Sequence, residues 1–251
     1  MTKLSVNINK IALLRNSRGR NHPDVCAFAV RCLDLGAHGI TLHPRPDQRH
    51  ARYSDVEALS EICSSRGAEL NVEGYPNMEL MEVVRRTRPT QCTLVPDASE
   101  QLTSDHGWDL RKQGALLHDV IADLKQHGIR ISLFVDFDCP DIEVAHQLGA
   151  DRIELYTEPY ANAIGTSHEG EVLTAFEQAA LLARSAGLGV NAGHDLNLQN
   201  LPRLLKIPGI LELSIGHALI TECIELGVEQ VIRRYLQIIE VSSSRRGIQE
   251  F

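Results

Sequence analysis

Several signatures that would settle the class of a chain this size are missing. No two of the six cysteines (Cys26, Cys32, Cys63, Cys92, Cys139 and Cys223) form a C-x-x-C pair. They read as small buried hydrophobes of a reducing compartment. No H-x-H or H-E-x-x-H spacing offers a ready metal site, and no G-x-G-x-x-G follows the first apolar strand, which argues against a doubly wound dinucleotide fold. Basic residues are in deficit, 25 Lys and Arg against 33 Asp and Glu, for a formal net charge of -8. A general nucleic-acid binder needs a broad basic surface, so that class is disfavoured. No apolar run is long enough to cross a bilayer, and Met1-Thr2-Lys3 leads into an apolar strand with no hydrophobic signal region. The expectation is a cytoplasmic protein without nucleic-acid or membrane partners.

What is present is a repeated seam, in which a helical pattern ends at glycine and a short β-rich run follows. It occurs at Gly36, Gly67, Gly128, Gly149 and Gly187. Glycine just past a helix accepts the left-handed conformation, so a strand can start at once. Two copies read alike, Leu35-Gly36-Ala37-His38-Gly39-Ile40-Thr41-Leu42 and Leu148-Gly149-Ala150-Asp151-Arg152-Ile153-Glu154-Leu155. Eight strands are predicted near residues 4–8, 38–43, 68–73, 91–96, 130–136, 151–157, 188–193 and 211–216. Helical periodicity lies between them: Val172, Phe176, Ala179, Ala180 and Ala183 share one face, as do Leu117, Val120, Ile121 and Leu124. Ser54-Asp55-Val56-Glu57 reads as a capping box. Eight β–α units in 251 residues predict a single-domain α/β protein, a (β/α)₈ TIM barrel with its active site at the C-terminal ends of the strands. The barrel domain is assigned to residues 1–241, and 242–251, with its Ser-Ser-Ser-Arg-Arg run, to a flexible tail.

The polar residues can be set against that rule of barrels. Asn7, Asn9 and Lys10 end strand one, His43 and Arg45 end strand two, and Glu73 ends strand three. Strand four leads through Asp97 to Thr103, and strand five ends at Asp136. Glu154 lies in strand six, His194 and Asp195 end strand seven, and Gly216 and His217 end strand eight. His43 and His194 are acid–base candidates because imidazole titrates near neutral pH. Desolvation would make Glu73 a usable base. Glu154 alternates with Ile153 and Leu155 and is expected to point into the barrel, where a structural ion pair is the rival reading. Asn191-Ala192-Gly193-His194 and Ser214-Ile215-Gly216-His217-Ala218 resemble phosphate loops, the second opening a helix. Arg15, Arg18 and Arg20, with Arg45, Arg49, His50 and Arg52, form a basic cluster read as a clamp for substrate phosphates.

Taken together, Asn7-Ile8-Asn9-Lys10-Ile11-Ala12-Leu13-Leu14-Arg15-Asn16-Ser17-Arg18-Gly19, Gly39 to His50, Asn71-Val72-Glu73, Val190 to His194 and Ser214 to Ala218 resemble, in order, the motifs of the pyridoxine 5′-phosphate synthase family. The resemblance implies a transferase-class, ring-forming enzyme of vitamin B6 biosynthesis. That enzyme condenses 1-deoxy-D-xylulose 5-phosphate with 3-amino-2-oxopropyl phosphate to give pyridoxine 5′-phosphate, phosphate and water. It implies no metal and no organic cofactor, and a homo-oligomer, an octamer in the family. It makes His43 and Glu73 proton acceptors, His194 a proton donor, and Glu154 a transition-state stabiliser. Asn7, Arg18, Gly216 and His217 then hold the aminoketone phosphate, and Arg45, His50 and Thr103 the deoxyxylulose phosphate. Asn9-Lys10 stands where the family often has Asp-His, and Asp195 where it has Gly. Asp195, beside a phosphate site, is expected to turn its carboxylate away to cap the next helix. The alternatives are a metal-dependent barrel hydrolase or isomerase using His43, His194, His217 and Glu154 as ligands, and a non-enzymatic phosphometabolite binder.

Overall fold

The computed structural model describes residues 1–97, 101 and 103–249, with side chains as far as Ser244. Eight parallel strands, β1 (Lys3–Asn7), β2 (Gly39–Leu42), β3 (Glu69–Gly74), β4 (Gln91–Leu94), β5 (Arg130–Val135), β6 (Arg152–Tyr156), β7 (Gly189–Gly193) and β8 (Ile210–Ile215), follow one another round a closed barrel. Closure is direct: Lys3 to Val6 of β1 pair with Glu212 to Ile215 of β8. All eight predicted strands are found, each within one or two residues of its expected bounds at most positions. The helices among the described residues are α1 (Asn9–Asn16), α2 (Val25–Asp34), α3 (Tyr53–Arg66), α4 (Met78–Thr87), α5 (Gly114–Gln126), α6 (Ile142–Gln147), α7 (Glu158–Ala163), α8 (Glu169–Ser185), α9 (Leu201–Leu204), α10 (His217–Leu226) and α11 (Val228–Gln249). The seam glycines behave as expected; Gly67, for one, ends α3 at φ +64°.

Most strands alternate apolar and polar or small residues, with breaks at Phe134 of β5 and at Ile210-Leu211 of β8. Leu4, Val6, Ile40, Leu42, Leu70, Val72, Ile131, Leu133, Ile153 and Leu155 belong to the main hydrophobic core beneath the helices. The alternate residues face the lumen, as hydrogen bonds between non-adjacent strands require. Ser214 on β8 donates to Glu73 on β3 (3.2 Å), and Asn191 on β7 donates to Gln91 on β4 (3.3 Å). Barrel lumens are usually filled by branched apolar side chains. Here Ser5, Thr41, Asn71, Thr93, Ser132, Glu154, Asn191 and Ser214, all buried, fill the interior. Toward the N-terminal ends of the strands the polar filling is charge-balanced: Lys3 and Arg130 pair with Glu69, and Arg152 pairs with Glu212 at 3.1 Å.

Three local expectations are corrected. First, α3 starts at Tyr53, and Asp55 rather than Glu57 caps it, accepting from the Arg52 backbone N–H at 2.8 Å. Asp55 is also gripped by Arg15 (Nη1–Oδ1 2.6 Å, Nη2–Oδ2 2.9 Å), and both side chains are buried. Arg15 is therefore a structural residue, fully engaged away from any substrate. Second, α11 continues through the segment read as a loose tail. Ser242, Ser243 and Ser244 each return a hydroxyl hydrogen bond to the carbonyl four residues back, which lets serine sit in a helix. Residues 250 and 251 of that segment lie outside the described residues. Third, Asp195 does not cap the next helix: Asn200 occupies the N-cap position of α9, its carboxamide Oδ1 accepting from the Asn197 N–H. All six cysteines are free thiols, and burial pushes those of Cys32, Cys63 and Cys92 up to about 12, as suits inert packing groups.

The Arg15–Asp55 pair ties α1 to α3 and, through Arg15 Nη2 to the His50 carbonyl (3.2 Å), to the loop after β2. Asp55→Asn strands a buried guanidinium and is expected to lower stability in urea titrations by about 3 kcal/mol or more. The double variant Arg15→Met/Asp55→Leu should recover most of that loss. A single-variant loss under ~1 kcal/mol would show that the pair is not a structural anchor.

Candidate active site

The C-terminal ends of the strands share one mouth, and the first motif ties their residues into a chain of hydrogen bonds. Asn7 at the end of β1 donates from Nδ2 to Glu73 Oε2 (3.3 Å), while its Oδ1 accepts from the Asn9 N–H (3.1 Å). Asn9 Oδ1 in turn accepts from the His43 N–H (2.9 Å). Short amides at fixed spacing thus lock β1, β2 and β3 to one another. Gly216 lies close by: an added Cβ would sit 3.1 Å from Asn7 Cβ, so any larger residue there would press on the Asn7 side chain.

Glu73 and Glu154 are both buried in the lumen. Glu73 accepts from Asn7, Ser214 and, at 3.5 Å, Asn71, all neutral donors. Burial raises its pKa to about 7, with Glu212 and Asp97 adding to the effect and the Ser214 hydrogen bond and Arg45 opposing it. Glu154 is raised well above the ordinary carboxylate range by burial and then by Glu73 and Glu212. Its Oε2 has no hydrogen-bond partner among the described residues. Among the described residues Glu154 makes no ion pair, the arrangement that rivalled its functional reading. Glu73 thus adds to the rise of Glu154, and both carboxyls are driven toward their protonated forms. Gly193 makes room for Glu154, because a Cβ there would meet Oε1 at 2.4 Å.

His43 is buried at the end of β2, its pKa pushed well below the usual histidine value by desolvation and then by Arg45, His50 and Arg49. Its Nε2 lies 3.9 Å from Asp97 Oδ2, too far for a hydrogen bond, so a neutral imidazole faces that carboxylate. His50, in T-shaped contact with His43 at 6.2 Å, is lowered to about 4 by burial and then by Arg45, Arg49 and Lys10. Asp97 is the group that sequence reasoning left without a role. It ion-pairs with Arg45 and accepts from the Ser104 hydroxyl at 2.8 Å. Arg45 and Arg49 also donate to the Gln101 carbonyl (3.0 and 2.6 Å), so the segment after β4 is bound to the loop after β2.

Across the mouth, His194 Nε2 lies 3.2 Å from Thr103 Oγ1, and its ring leans on Tyr156 at 5.1 Å between centroids. Burial lowers the His194 pKa, with Asp195, Glu158 and Asp97 opposing and Lys10 reinforcing. Lys10 itself is exposed. His194 and Asp195 adopt φ +94° and +54°, a conformation that costs non-glycine residues about 1–3 kcal/mol each in the less favoured cases. Such strain is found mostly at functional sites. Val95, Phe134 and Tyr156 form a small apolar cluster separate from the main core. Its signal was Phe134 at an inward position of β5, where Ser132 two residues earlier is polar and the paired position on β6 is Glu154. Of the proposed phosphate ligands, Arg18 and His217 are exposed, His217 as the first residue of α10. A surface depression bounded by Arg31, Leu226, Arg233 and Arg234 lies at the α10–α11 junction and carries none of these groups.

With this geometry in view, likeness to known proteins becomes informative. Residues 4–241 match the family model described as pyridoxal phosphate biosynthesis protein PdxJ. The pyridoxine 5′-phosphate synthase of Xanthomonas campestris pv. campestris (strain B100) is 53% identical over 246 residues, covering 95% of this chain and 96% of that protein. The protein of the same name from Xylella fastidiosa (strain M12) is 51% identical over 247 residues, covering 95% of each. Among solved structures, a thiamine phosphate pyrophosphorylase from Pyrococcus furiosus superposes with a TM-score of 0.64 at 14% identity over 96% of each chain, a likeness of fold alone. Sequence, barrel and rim agree: the chain belongs to the PdxJ family of pyridoxal phosphate biosynthesis proteins.

Proposed function

We propose that this mouth condenses 1-deoxy-D-xylulose 5-phosphate with 3-amino-2-oxopropyl phosphate, releasing pyridoxine 5′-phosphate, phosphate and water. One observation carries the reading: His43, Glu73 and His194 meet at a single rim, and Glu73 is buried with a pKa of about 7. Joining an amine to a ketone, losing water and phosphate, and closing an aromatic ring needs repeated proton transfer near neutrality. Neutral His43 and ionised Glu73 accept protons. His194, also held neutral in the free protein, becomes a donor once anionic phosphates arrive, because nearby negative charge favours the imidazolium. Glu154, protonated, can donate a hydrogen bond to a developing oxyanion. Asn7, Arg18, Gly216 and His217 serve the aminoketone phosphate, with the α10 N-terminus adding backbone N–H groups. Arg45, His50 and Thr103 serve the deoxyxylulose phosphate, Arg45 exchanging the Gln101 carbonyl for a substrate oxygen. Lys10 supplies a fixed positive charge near His50 and His194, and Asn9 acts through the His43 backbone. Asp195 follows His194 on the same rim, within reach of a bound substrate. Holding both substrates together contributes several kcal/mol through effective concentration.

We further infer a cytoplasmic homo-oligomer without nucleic-acid or membrane partners. No described helix is long and apolar enough to cross a membrane. Exposed Leu13 and Leu14 on α1 and Ile224 on α10 support self-association.

Mixing the purified protein with both substrates should develop the pyridoxine chromophore, in EDTA as well as without it. Binding without turnover would favour the non-enzymatic reading, and loss of activity to chelators the metal-dependent one. Glu73→Gln should cut turnover by ~10²-fold or more with substrate binding largely kept. Normal turnover in that variant would remove Glu73 from its role. The turnover rate of the wild type should rise with pH through about 7 as Glu73 ionises.

Stability carries the opposite sign. A carboxyl whose folded pKa lies above its unfolded value favours the fold below about pH 4.5, and that benefit is lost as pH rises through about 7. Glu73→Gln should therefore stabilise the protein relative to wild type at pH 8, by an amount on the order of 2–3 kcal/mol, and the gain should shrink toward zero below pH 5. Denaturant titrations at both pH values check this; an equal difference at both would contradict a raised Glu73 pKa.

A further inference from the structure

His194 owes its place to a backbone turn that the chain does not favour. Two successive non-glycine residues, His194 and Asp195, have positive φ (+94° and +54°). Such a turn persists only where its surroundings over-determine it. The structure supplies a hold on each of the two carbonyls. From the β6 side, fully buried Thr157 approaches with its backbone N–H 3.0 Å from the Gly193 carbonyl and its hydroxyl oxygen 2.7 Å from the same carbonyl and 2.5 Å from that of His194. A threonine hydroxyl has one proton. Gly193 O is already served by the Thr157 N–H, so the hydroxyl proton belongs to the closer His194 carbonyl. From the α9 side, buried Asn200 donates its Nδ2 to the Asp195 carbonyl at 3.0 Å, and is itself held by the Tyr160 hydroxyl on its own carbonyl at 2.7 Å.

We propose that Thr157 is a positioning residue for His194, its hydroxyl holding the strained β7 end so that the imidazole stays between Thr103 and Tyr156. The proposal rests on the reading of His194 as the proton donor. Thr157 touches neither ring nor substrate; it acts through the His194 backbone. Without that hydrogen bond the turn can relax toward negative φ, which swings the ring away from Thr103 Oγ1 and out toward solvent. Burial depresses the His194 pKa most, ahead of the opposing Asp195, Glu158 and Asp97 and the reinforcing Lys10, so a released ring should titrate higher, closer to an ordinary histidine.

The test compares the full-length wild type with Thr157→Val, Thr157→Ser and His194→Asn. Valine keeps the shape and removes the hydroxyl; serine keeps the hydroxyl. Expected for Thr157→Val is a kcat lower by about tenfold to a hundredfold, with both KM values within about twofold of wild type. Its His194 resonance in ¹³C-histidine NMR, assigned by its absence from His194→Asn, should titrate at higher pH. Thr157→Ser should return kcat to within about threefold and restore the titration. If His194→Asn turns over at the wild-type rate, the donor reading of His194 falls and this proposal falls with it. If His194→Asn is inactive while Thr157→Val keeps wild-type kcat and titration, only the positioning role is overturned. The same holds if Thr157→Ser fails to restore what Thr157→Val lost, since the hydroxyl would then not be the cause.

Discussion

The structure turns on carboxylates enclosed in a barrel whose lumen is ion-paired toward the N-terminal ends of the strands, while Glu73 and Glu154 higher up have no ion-pair partner among the described residues. Lys3, Arg130 and Arg152 pair with Glu69 and Glu212 toward the N-terminal ends of the strands. Burial acts to raise Glu69, yet Lys3 and Arg130 more than offset it. Glu212 stays raised by burial, with Arg152 and Arg130 offsetting part. Further up the lumen no guanidinium or ammonium reaches Glu73 or Glu154 by hydrogen bond among the described contacts, and both carboxyls are driven toward their protonated forms. A buried charge without a partner is costly, and that cost is what raises both carboxyls above the ordinary carboxylate range.

The rest of the mouth can be understood as support for that arrangement. The Asn7–Asn9–His43 chain fixes three strand ends with side-chain amides, which bring no charge into the lumen. Basic residues sit on the loops above, where burial, and then Arg45 and Arg49, lower the pKa of His43 and His50, and Asp97 joins two loops through Arg45 and Ser104. An acidic protein thus gathers positive charge over its mouth, where phosphorylated substrates would arrive. Asn9 explains one departure from the family motif: what matters at that position is an acceptor for the His43 N–H, which an amide oxygen supplies as well as a carboxylate. Asp195 explains the other, since a residue at φ +54° lies in the region that Asp and Asn enter most readily after Gly.

Much of this was legible in the chain. The seam glycines and the eight β-rich runs carried the barrel, and the same registers put His43, Glu73 and His194 at strand ends. The polar lumen was also written there as strict alternation, Lys-Leu-Ser-Val-Asn in β1 and Glu-Leu-Asn-Val-Glu in β3. Only Glu154 was read from it, because in a lone strand the same pattern equally describes one face in water. The arginines were less legible. Arg15 and Arg18 stand three residues apart on the same motif, yet one is sealed against Asp55 and the other is exposed. Residue type gave both the same phosphate-binding appearance.

The division follows from range. Periodicity, capping glycines and residue chemistry act over a few positions, so element type, barrel class and the identity of acid–base candidates can be inferred from the chain alone. Whether a carboxyl is paired, how dry it is, and which arginine is spent on a structural partner depend on residues far away in sequence: Ser214 on Glu73, Glu73 on Glu154, Asp55 on Arg15. Closure of the barrel brings those groups together, and only then do a carboxyl raised to about 7 and a histidine at positive φ exist.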